Sequence, residues 1–259
     1  MGQWFSKFFM LQGCKVTISS RGYAKCARVA SRIGVSAAKS NIDAIKGADL
    51  VIISVMMQNF ENTVEEISKH LERGQIVIDV TSVKVAPVKI MHRYIKENLV
   101  LGTHPMFGPS AEAKGQNFIL TPVNGKEKAF ALQFSKYLKS KGFNAILMAP
   151  SKHDQMIGAV LSLTHFVGFV TGDTWKELRI HKFINTSSTS FRFLKSFVES
   201  VVDSSPELYS YLQVGVPGAY SVEKLFVKKS LEWSELTRSK NQKKLERKMS
   251  VLRKYVSKL

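Results

Sequence analysis

The sequence predicts an α/β fold, with a doubly wound and mostly parallel sheet over residues 1–150 and an all-helical domain over residues 151–259. In the first part, short β-branched runs alternate with amphipathic stretches of helical length, which is the pattern of parallel strands joined by crossover helices. The run Leu50–Ile53 contains no polar residue, as expected of a strand that is covered on both faces. After His153 we find no strand pattern, only long helical stretches.

The elements of the first part follow from this alternation. Trp4, Phe5 and Phe8 share one face of an opening helix, and Gly34 and Gly74 are expected to follow the ends of two later helices. Strands are predicted in the β-branched or apolar runs 16–18, 50–55, 76–80, 99–102, 118–122 and 145–148.

The helical part contains a stretch, 158–170, that is apolar nearly all round. Such a helix must be buried on every side. In a small helical domain, the second covering surface is often another copy of the same chain. We therefore expect residues 151–259 to form a substrate and dimerisation domain in a homodimer.

Composition excludes several classes of protein. Cys14 and Cys26 are too few for a disulfide scaffold or a cysteine-rich zinc site, so we expect no metal. No uninterrupted apolar run reaches the roughly 18–20 residues that span a bilayer. The N-terminus lacks the order of a signal peptide. These features favour a soluble, cytoplasmic protein without a membrane partner.

The chain carries 38 Lys and Arg against 20 Asp and Glu, a net charge of +18. Residues 238–259 hold nine of these basic side chains and only Glu246 against them, with Leu245, Met249 and Leu252 at helical spacing. This favours a solvated C-terminal helix docked on its own protein. Contact with nucleic acid or an acidic membrane is the alternative, but no zinc spacing or helix-turn-helix pattern supports nucleic-acid binding.

Polar residues follow three of the predicted strands, at Ser54, Thr81-Ser82 and Thr103-His104. In a doubly wound sheet, ligands bind at the carboxyl ends of the strands. His104 lies between glycines and prolines that we expect to hold its imidazole outward in a loop. A neutral imidazole can accept a proton near pH 7, and the hydroxyl of Ser82 could fix its tautomer. A purely structural histidine is the alternative at this point.

Several segments resemble the prephenate dehydrogenase family, in family order over nearly the whole chain. They are M-G-Q-W-F (1–5), D-V-T-S-V-K (79–84), L-G-T-H-P-M-F-G-P (101–109), H-D-Q-M (153–156), L-T-H-F (163–166), S-F-R (190–192) and S-P-E-L-Y (205–209). The resemblance implies a Rossmann-type first domain and oxidative decarboxylation of prephenate to 4-hydroxyphenylpyruvate, in tyrosine biosynthesis, with hydride transfer to NAD(P).

The resemblance also implies roles for individual residues. His104 takes the proton of the substrate hydroxyl, and Ser82 orients His104 beside the cofactor. Arg192 clamps a substrate carboxylate, and its position between Phe191 and Phe193 argues against a surface location. His165 falls where the family has a histidine of the substrate pocket. For His153 and Asp154, a helix-capping role is at least as good an interpretation as a catalytic one.

The cofactor is expected to lie along the strand ends, against Gly2, Ser20, Arg21, Ser54, Val55, Thr81 and Pro105. An acidic residue at the end of the second strand of a dinucleotide fold favours NAD. Here that strand ends in Ser19, Ser20 and Arg21, which can donate to a 2′-phosphate. We therefore favour NADP, with NAD as the alternative.

The chain begins at the Met-Gly of the family's glycine-rich turn, without the first strand. We expect this to leave unpaired backbone in the middle of the sheet. A start upstream of Met1, and thus a native mass above 29.1 kDa, is one explanation, and a truncated, impaired protein is the other. Arogenate remains a rival substrate, and a catalytically silent dinucleotide fold remains a rival class.

Overall fold

The computed structural model describes residues 1–203 and 205–258, apart from the side chain of Leu208. These residues form two compact units, Met1–Ile157 and Gly158–Leu259. The helix Pro150–Ile157, which carries His153, is part of the first unit. The domain boundary near residue 150 stays a prediction.

The first unit is built on two parallel-dominated sheets. A two-stranded parallel sheet pairs β1 (Thr17–Ile18) with β2 (Ser36–Ala37). A five-stranded sheet has the order β3-β4-β5-β6-β7, in which only the β5–β6 pair is antiparallel. Its strands are β3 (Leu50–Ile53), β4 (Ile76–Asp79), β5 (Leu99–Pro105), β6 (Asn117–Thr121) and β7 (Asn144–Leu147). The expected α/β fold with a mostly parallel sheet is confirmed.

The two sheets are separate, because no ladder joins β1 or β2 to any strand of the larger sheet within the described chain. The sequence predicts a break of this kind in the middle of the sheet. Among the described residues, β3 pairs with β4 along one edge, and its other edge has no ladder partner.

Helices cover the sheet and bury its apolar side chains. In the first unit they are α1 (Gly2–Leu11), α2 (Tyr23–Ile33), α3 (Asn41–Ile45), α4 (Phe60–Ser68), α5 (Val85–Tyr94), α6 (Gly125–Ser140) and α7 (Pro150–Ile157), with a short 3₁₀ turn at Met57–Asn59. One core cluster joins Phe5 of α1 to Leu101 and Phe118 of the sheet. A second joins Phe60 and Met91 to the opposite side. Two buried clusters are what a doubly wound sheet requires.

Two local predictions gain detail in the structure. Gly34 ends α2 with a φ of 85°, the left-handed conformation that glycine adopts without steric cost. Gly74 also has a positive φ, but α4 ends earlier, at Ser68, so Gly74 belongs to the turn before β4. The short strand β2 was not predicted, because Ser36 and Ala37 are too few for a periodic signal.

The prediction that His104 lies in a loop is wrong. β5 continues through Thr103, His104 and Pro105, because antiparallel pairing with β6 extends it beyond the parallel ladder with β4. Proline is tolerated there because it occupies the end of the strand.

The second unit is all-helical within the described residues. After a π-helical turn at Gly158–Ser162 come α8 (Leu163–Glu177), a 3₁₀ segment at Ile180–Thr186, α9 (Thr189–Val202), α10 (Pro206–Gly215), α11 (Ala219–Arg238) and α12 (Gln242–Val256). The basic C-terminal segment forms α12, whose Lys248 lies over the ring of Trp233 of α11. A docked C-terminal helix is therefore observed within this unit.

Small residues set the approach of α8 and α9. A Cβ added to Gly168 would lie 3.0 Å from the side chain of Val201, and one added to Gly172 would lie 3.4 Å from Val198. Because the two glycines are one helical turn apart, they form a shallow face into which the valines of α9 pack.

One helical stretch, Pro150–Glu177, is long and apolar enough by length and composition to cross a membrane, with a mean hydropathy of 1.3 over its best window. The stretch was not predicted, because polar residues interrupt its apolar ones. The stretch is divided between the two units and contains the buried polar residues His153, Asp154 and His165.

Candidate active site

The predicted polar residues lie at the carboxyl ends of three adjacent parallel strands. Ser54 follows β3, Thr81 and Ser82 follow β4, and His104 lies near the end of β5. The N-terminus of α1 reaches the same edge, since a Cβ built on Gly2 would be 3.5 Å from Oγ of Ser54. The sheet order therefore brings residues from distant parts of the chain to one edge.

Beneath this edge lies an ion pair between Lys84 and Asp79, and neither side chain is exposed. The ammonium group of Lys84 also donates to Oγ1 of Thr81 and to the carbonyl of Thr103. The Asp79 carboxylate accepts from the backbone N–H groups of Thr81 and Thr103. Burial lowers the pKa of Lys84, against the opposing effect of Asp79. These bonds tie the ends of β4 and β5 together.

Gly102 allows β5 to lie closely against its neighbours. An added Cβ would lie 2.4 Å from Oγ1 of Thr121 and 2.5 Å from Cγ2 of Val88, whereas its distance of 3.5 Å from Cδ of Lys84 is an ordinary contact. Any larger residue here would therefore displace Thr121 of β6 or Val88 of α5.

His104 is almost fully buried, at 5% exposure. Its Nδ1 lies 2.9 Å from Nε2 of His153. Desolvation first, then the charges of Lys84 and His153, hold the pKa of His104 well below its usual 6.5. The imidazole is therefore neutral at pH 7, as a proton acceptor must be.

His153 and Asp154 extend this contact from α7. Nδ1 of His153 lies 2.8 Å from Oδ1 of Asp154. The same carboxylate accepts from the backbone N–H groups of Lys84 and Val85, at 2.7 and 2.9 Å, and so caps α5 from another helix. Burial would raise the pKa of Asp154, but these hydrogen bonds outweigh it and lower the pKa below its usual value. The carboxylate is ionised at neutral pH.

The proposed hydroxyl partner of His104 is placed differently from the expectation. Ser82 is half-buried and makes no side-chain hydrogen bond to the residues that the structure describes. His153 occupies the Nδ1 side of His104 instead. Thr81 is buried and bonded to Asp79 and Lys84, so its hydroxyl serves the ion pair. The role of Ser82 stays a prediction.

The remaining predicted cofactor residues differ in burial. Val55 packs against the second core cluster, and Pro105 is buried in β5 opposite Phe118. Ser20 and Arg21 lie exposed just after β1. Their neighbour Ser19 donates to Asn41, whose amide in turn donates to Glu66. The exposed Arg21 is thus available to an anion.

In the second unit, His165 is buried at 5% exposure, and its ring lies 4.1 Å from that of Tyr209 between centroids. Burial lowers its pKa. Its Nδ1 has no hydrogen-bond partner among the described residues. An unpaired buried nitrogen is costly, so the site is suited to a ligand or a water molecule.

Arg192 lies in the first turn of α9, where Ser188 caps the helix by accepting from the N–H of Phe191. The side chain is exposed, and its guanidinium is 3.4 Å from Oγ1 of Thr189. The prediction that Arg192 lies away from the surface because of its apolar neighbours is wrong, because Phe193 is itself 74% exposed. The substrate role of Arg192 stays a prediction.

The buried ion pair of Lys84 and Asp79 was not predicted from the sequence. Asp79 and Lys84 are the first and last residues of the segment D-V-T-S-V-K, but that segment does not show that its aspartate and lysine are buried or that they pair. His153 and Asp154 were expected at the start of the helix that they would cap, but α7 begins at Pro150, and the Asp154 carboxylate accepts instead from N–H groups at the start of α5.

Parallel-dominated α/β domains of this class bind nucleotides at the carboxyl edge of the sheet, where His104 lies. A family model described as "Prephenate dehydrogenase, nucleotide-binding domain" matches residues 5–154. The chain belongs to the prephenate dehydrogenase family. This confirms the resemblance recognised in the sequence.

Curated relatives agree with this assignment. A probable arogenate/prephenate dehydrogenase from Methanocaldococcus jannaschii is 32% identical over 249 residues, which is 93% of this chain and 55% of that protein. Arogenate dehydrogenase 1, chloroplastic, from Arabidopsis thaliana is 25% identical over 80% of this chain and 33% of its own length. The chain thus spans about half the length, or less, of these relatives.

Solved structures share the fold. Prephenate dehydrogenase from A. aeolicus, in complex with hydroxyphenyl propionate and NAD+, superposes with a TM-score of 0.78 at 20% identity, over 99% of this chain and 94% of that one. Synechocystis arogenate dehydrogenase superposes with a TM-score of 0.75 at 20% identity, over 99% and 95%.

Proposed function

We propose that this protein is a prephenate dehydrogenase, which oxidatively decarboxylates prephenate to 4-hydroxyphenylpyruvate in the cytoplasm. The observation that carries the proposal is His104, a neutral imidazole buried at the carboxyl edge of the sheet with its Nδ1 side occupied by His153. This arrangement leaves Nε2 of His104 as the atom that can take a proton from a substrate hydroxyl.

The chemistry balances with one base. His104 accepts the hydroxyl proton as the ring carbon that bears the hydroxyl gives up a hydride, and the resulting ring ketone loses carbon dioxide. The electron pair from the broken C–C bond aromatises the ring, and the phenol oxygen regains a proton from His104. A bound nicotinamide dinucleotide supplies the hydride acceptor. General-base catalysis of this kind contributes about 10²–10⁴-fold.

Residues at the edge of the sheet fit a dinucleotide. Met1, the residue before α1, provides no side-chain cap, so the first amides of that helix are available to a phosphate. Gly2 lets the helix end lie beside Ser54, with Val55, Thr81 and Pro105 completing the edge.

We favour NADP over NAD as the cofactor. Ser20 and Arg21 are exposed after β1, and residues 17–22 contain no carboxylate that would repel a 2′-phosphate. Arg21 provides a charged donor at this point.

For the substrate, we propose that Arg192 binds a carboxylate and that His165 lines the pocket. A guanidinium suits a carboxylate because it can donate two parallel hydrogen bonds. The unpaired Nδ1 of buried His165 supports a polar ligand there. Arogenate differs from prephenate by an amino group in place of a keto oxygen, and it is the alternative substrate.

We also propose a homodimer formed through the helical unit. This unit exposes large apolar side chains to a degree that is unusual for a monomer, among them Phe193 at 74%, Tyr220 at 71% and Leu231 at 66%. A second copy would cover them. Sedimentation velocity at micromolar concentration tests this, with a monomer as the contrary result.

The function is tested by following reduced dinucleotide at 340 nm with prephenate or arogenate and with NADP or NAD. We expect turnover with prephenate and NADP, and loss of turnover in His104→Ala. The matched control is His70→Ala, an exposed histidine of the same unit. Absence of turnover with both substrates and both cofactors contradicts the enzyme proposal and favours a catalytically silent fold.

A further inference from the structure

We propose that Asp154 and His153 are positioning residues that hold His104 in the tautomer with its proton on Nδ1 and a free lone pair on Nε2. The proposal deepens the proposed function and rests on it for its catalytic meaning. The three residues form a continuous line of contacts in the first unit, from Oδ1 of Asp154 through both nitrogens of His153 to Nδ1 of His104.

The direction of the line is set at Asp154. An ionised carboxylate only accepts hydrogen bonds. Its oxygens already accept from the N–H groups of Lys84 and Val85, which fixes the carboxylate in place and favours its charged form. Nδ1 of His153, at 2.8 Å from Oδ1, must therefore be the donor of that contact.

Neutral histidine carries one ring proton. If that proton is on Nδ1 of His153, then Nε2 of His153 is an acceptor. The 2.9 Å contact with His104 is then possible only if Nδ1 of His104 donates. Nε2 of His104 is left without a proton, and it makes no hydrogen bond to the described residues. It is the atom free to act as base.

Burial restricts the hydrogen bonds of His153 and Asp154 to their protein partners. His153 is 0% exposed and Asp154 is 3% exposed, so water cannot easily replace either partner. The other charged groups near His104 are Lys84, on the loop before α5, and Asp79, at the end of β4, and these two groups pair with each other. Neither is hydrogen-bonded to a ring nitrogen among the described residues.

His153 and Asp154 are adjacent residues of α7 and have complementary roles. The Asp154 carboxylate accepts from N–H groups at the start of α5 and also orients His153. One carboxylate therefore holds α5 in place and sets the tautomer of His104. A second proton on His153 would make both of its nitrogens donors and would force Nδ1 of His104 to accept. The proton of a neutral His104 would then reside on Nε2, and the base would be lost.

The direct test is the tautomer itself. Long-range ¹H–¹⁵N NMR of the full chain, labelled with ¹⁵N-histidine, distinguishes a protonated from an unprotonated ring nitrogen. The His104→Ala and His153→Gln variants assign the two rings by difference. We expect a protonated Nδ1 on both, at pH 7. A His104 ring protonated on Nε2 would overturn the proposal, whatever the substrate of the enzyme proves to be.

A kinetic test uses two replacements of similar size. His153→Leu removes the acceptor for Nδ1 of His104, and we expect kcat to fall by about 100-fold with little change in KM. In His153→Gln, the Asp154 carboxylate should attract the amide NH₂ and turn the amide oxygen toward His104. We expect this variant to recover most of the lost kcat and to keep the Nδ1–H tautomer of His104.

Rescue by glutamine separates positioning from simple structural support, because Leu and Gln both remove the imidazole of residue 153 but only Gln can accept from Nδ1 of His104. The exposed control His70→Gln should leave kcat unchanged. Equal kcat in the His153→Leu and His153→Gln variants would contradict the positioning role. If the chain turns over neither substrate, the NMR result still decides the tautomer.

Discussion

Lys84 and Asp79 form a completely buried ion pair directly beneath the strand end that carries His104. The pair is saturated with hydrogen bonds, since Lys84 donates to Asp79, Thr81 and Thr103. Removal of one partner from such a pair strongly lowers the free energy of unfolding, because it leaves the other charge buried alone. The pair fixes the spacing of β4 and β5 on which the site depends.

Replacement of Lys84 by Met should therefore destabilise the protein by about 3–5 kcal/mol, because Asp79 loses its counter-charge. Urea unfolding at pH 7 measures the change. The matched control is Lys46→Met, which breaks an exposed pair with Asp43 and should cost less than about 1 kcal/mol. Similar losses of unfolding free energy in the two variants would show that the buried pair contributes no more to stability than the exposed pair.

The space at Gly102 gives a second prediction. Gly102→Ala places a Cβ within 2.5 Å of Oγ1 of Thr121 and Cγ2 of Val88, so we expect a loss of about 1–3 kcal/mol from overpacking. Gly125→Ala, in the first turn of α6, meets open space and should be nearly neutral. Thermal unfolding of both variants checks this, and a neutral Gly102→Ala would contradict the close packing.

His104 gives a prediction about pH. Because its pKa in the folded protein is well below 6.5, the base stays unprotonated at pH 6.5, and kcat should decline only at lower pH. The unfolded chain binds a proton at this position near its ordinary pKa of about 6.5, whereas the folded chain does not. The contribution of His104 to stability is therefore complete above 6.5 and is lost as the pH falls toward the folded pKa. The pH–rate profile and urea unfolding from pH 5 to 8, compared with His104→Gln, test both statements. An acid limb at or above 6.5 would contradict the depressed pKa.

Cofactor preference is tested at Arg21. Arg21→Ala should lower kcat/KM for NADP by roughly 10-fold or more, as expected for loss of a charge-assisted hydrogen bond, and should leave kcat/KM for NAD nearly unchanged. Arg73→Ala removes an exposed arginine from the turn before β4 and serves as the control. A wild-type preference for NAD, or equal losses with both cofactors, would overturn the assignment of Arg21 to the 2′-phosphate.

Strand positions were the most predictable part of the fold. Leu50–Ile53 and the first three residues of Ile76–Asp79 are apolar because both faces of a parallel sheet are covered, and this pattern is local to the sequence. The extension of β5 through His104 was not predictable in the same way. It depends on antiparallel pairing with β6, a partner that begins more than ten residues later in the chain.

The candidate site likewise has a part that the sequence predicted and a part that it did not. Residue types at the strand ends, with the motif around His104, were sufficient to locate the edge of the sheet and the candidate base. The partner of that base was expected at Ser82, but the contact on Nδ1 comes from His153. A sequence cannot show that an aspartate on α7 caps α5, because capping across elements depends on how the helices pack.

By itself, the sequence determined the α/β class, the helical second part and the family, and it indicated His104 as the candidate proton acceptor, because these follow from periodicity and from short motifs. The net charge of +18 and the sequence motifs can be identified without a folded structure. Only the tertiary structure decided that Lys84 is paired with Asp79, that Gly102 lies closely against Thr121 and Val88, and that a line of contacts runs from Asp154 through His153 to His104. These are relations of distance and burial between separate elements, and they exist only once the sheet has brought the elements together.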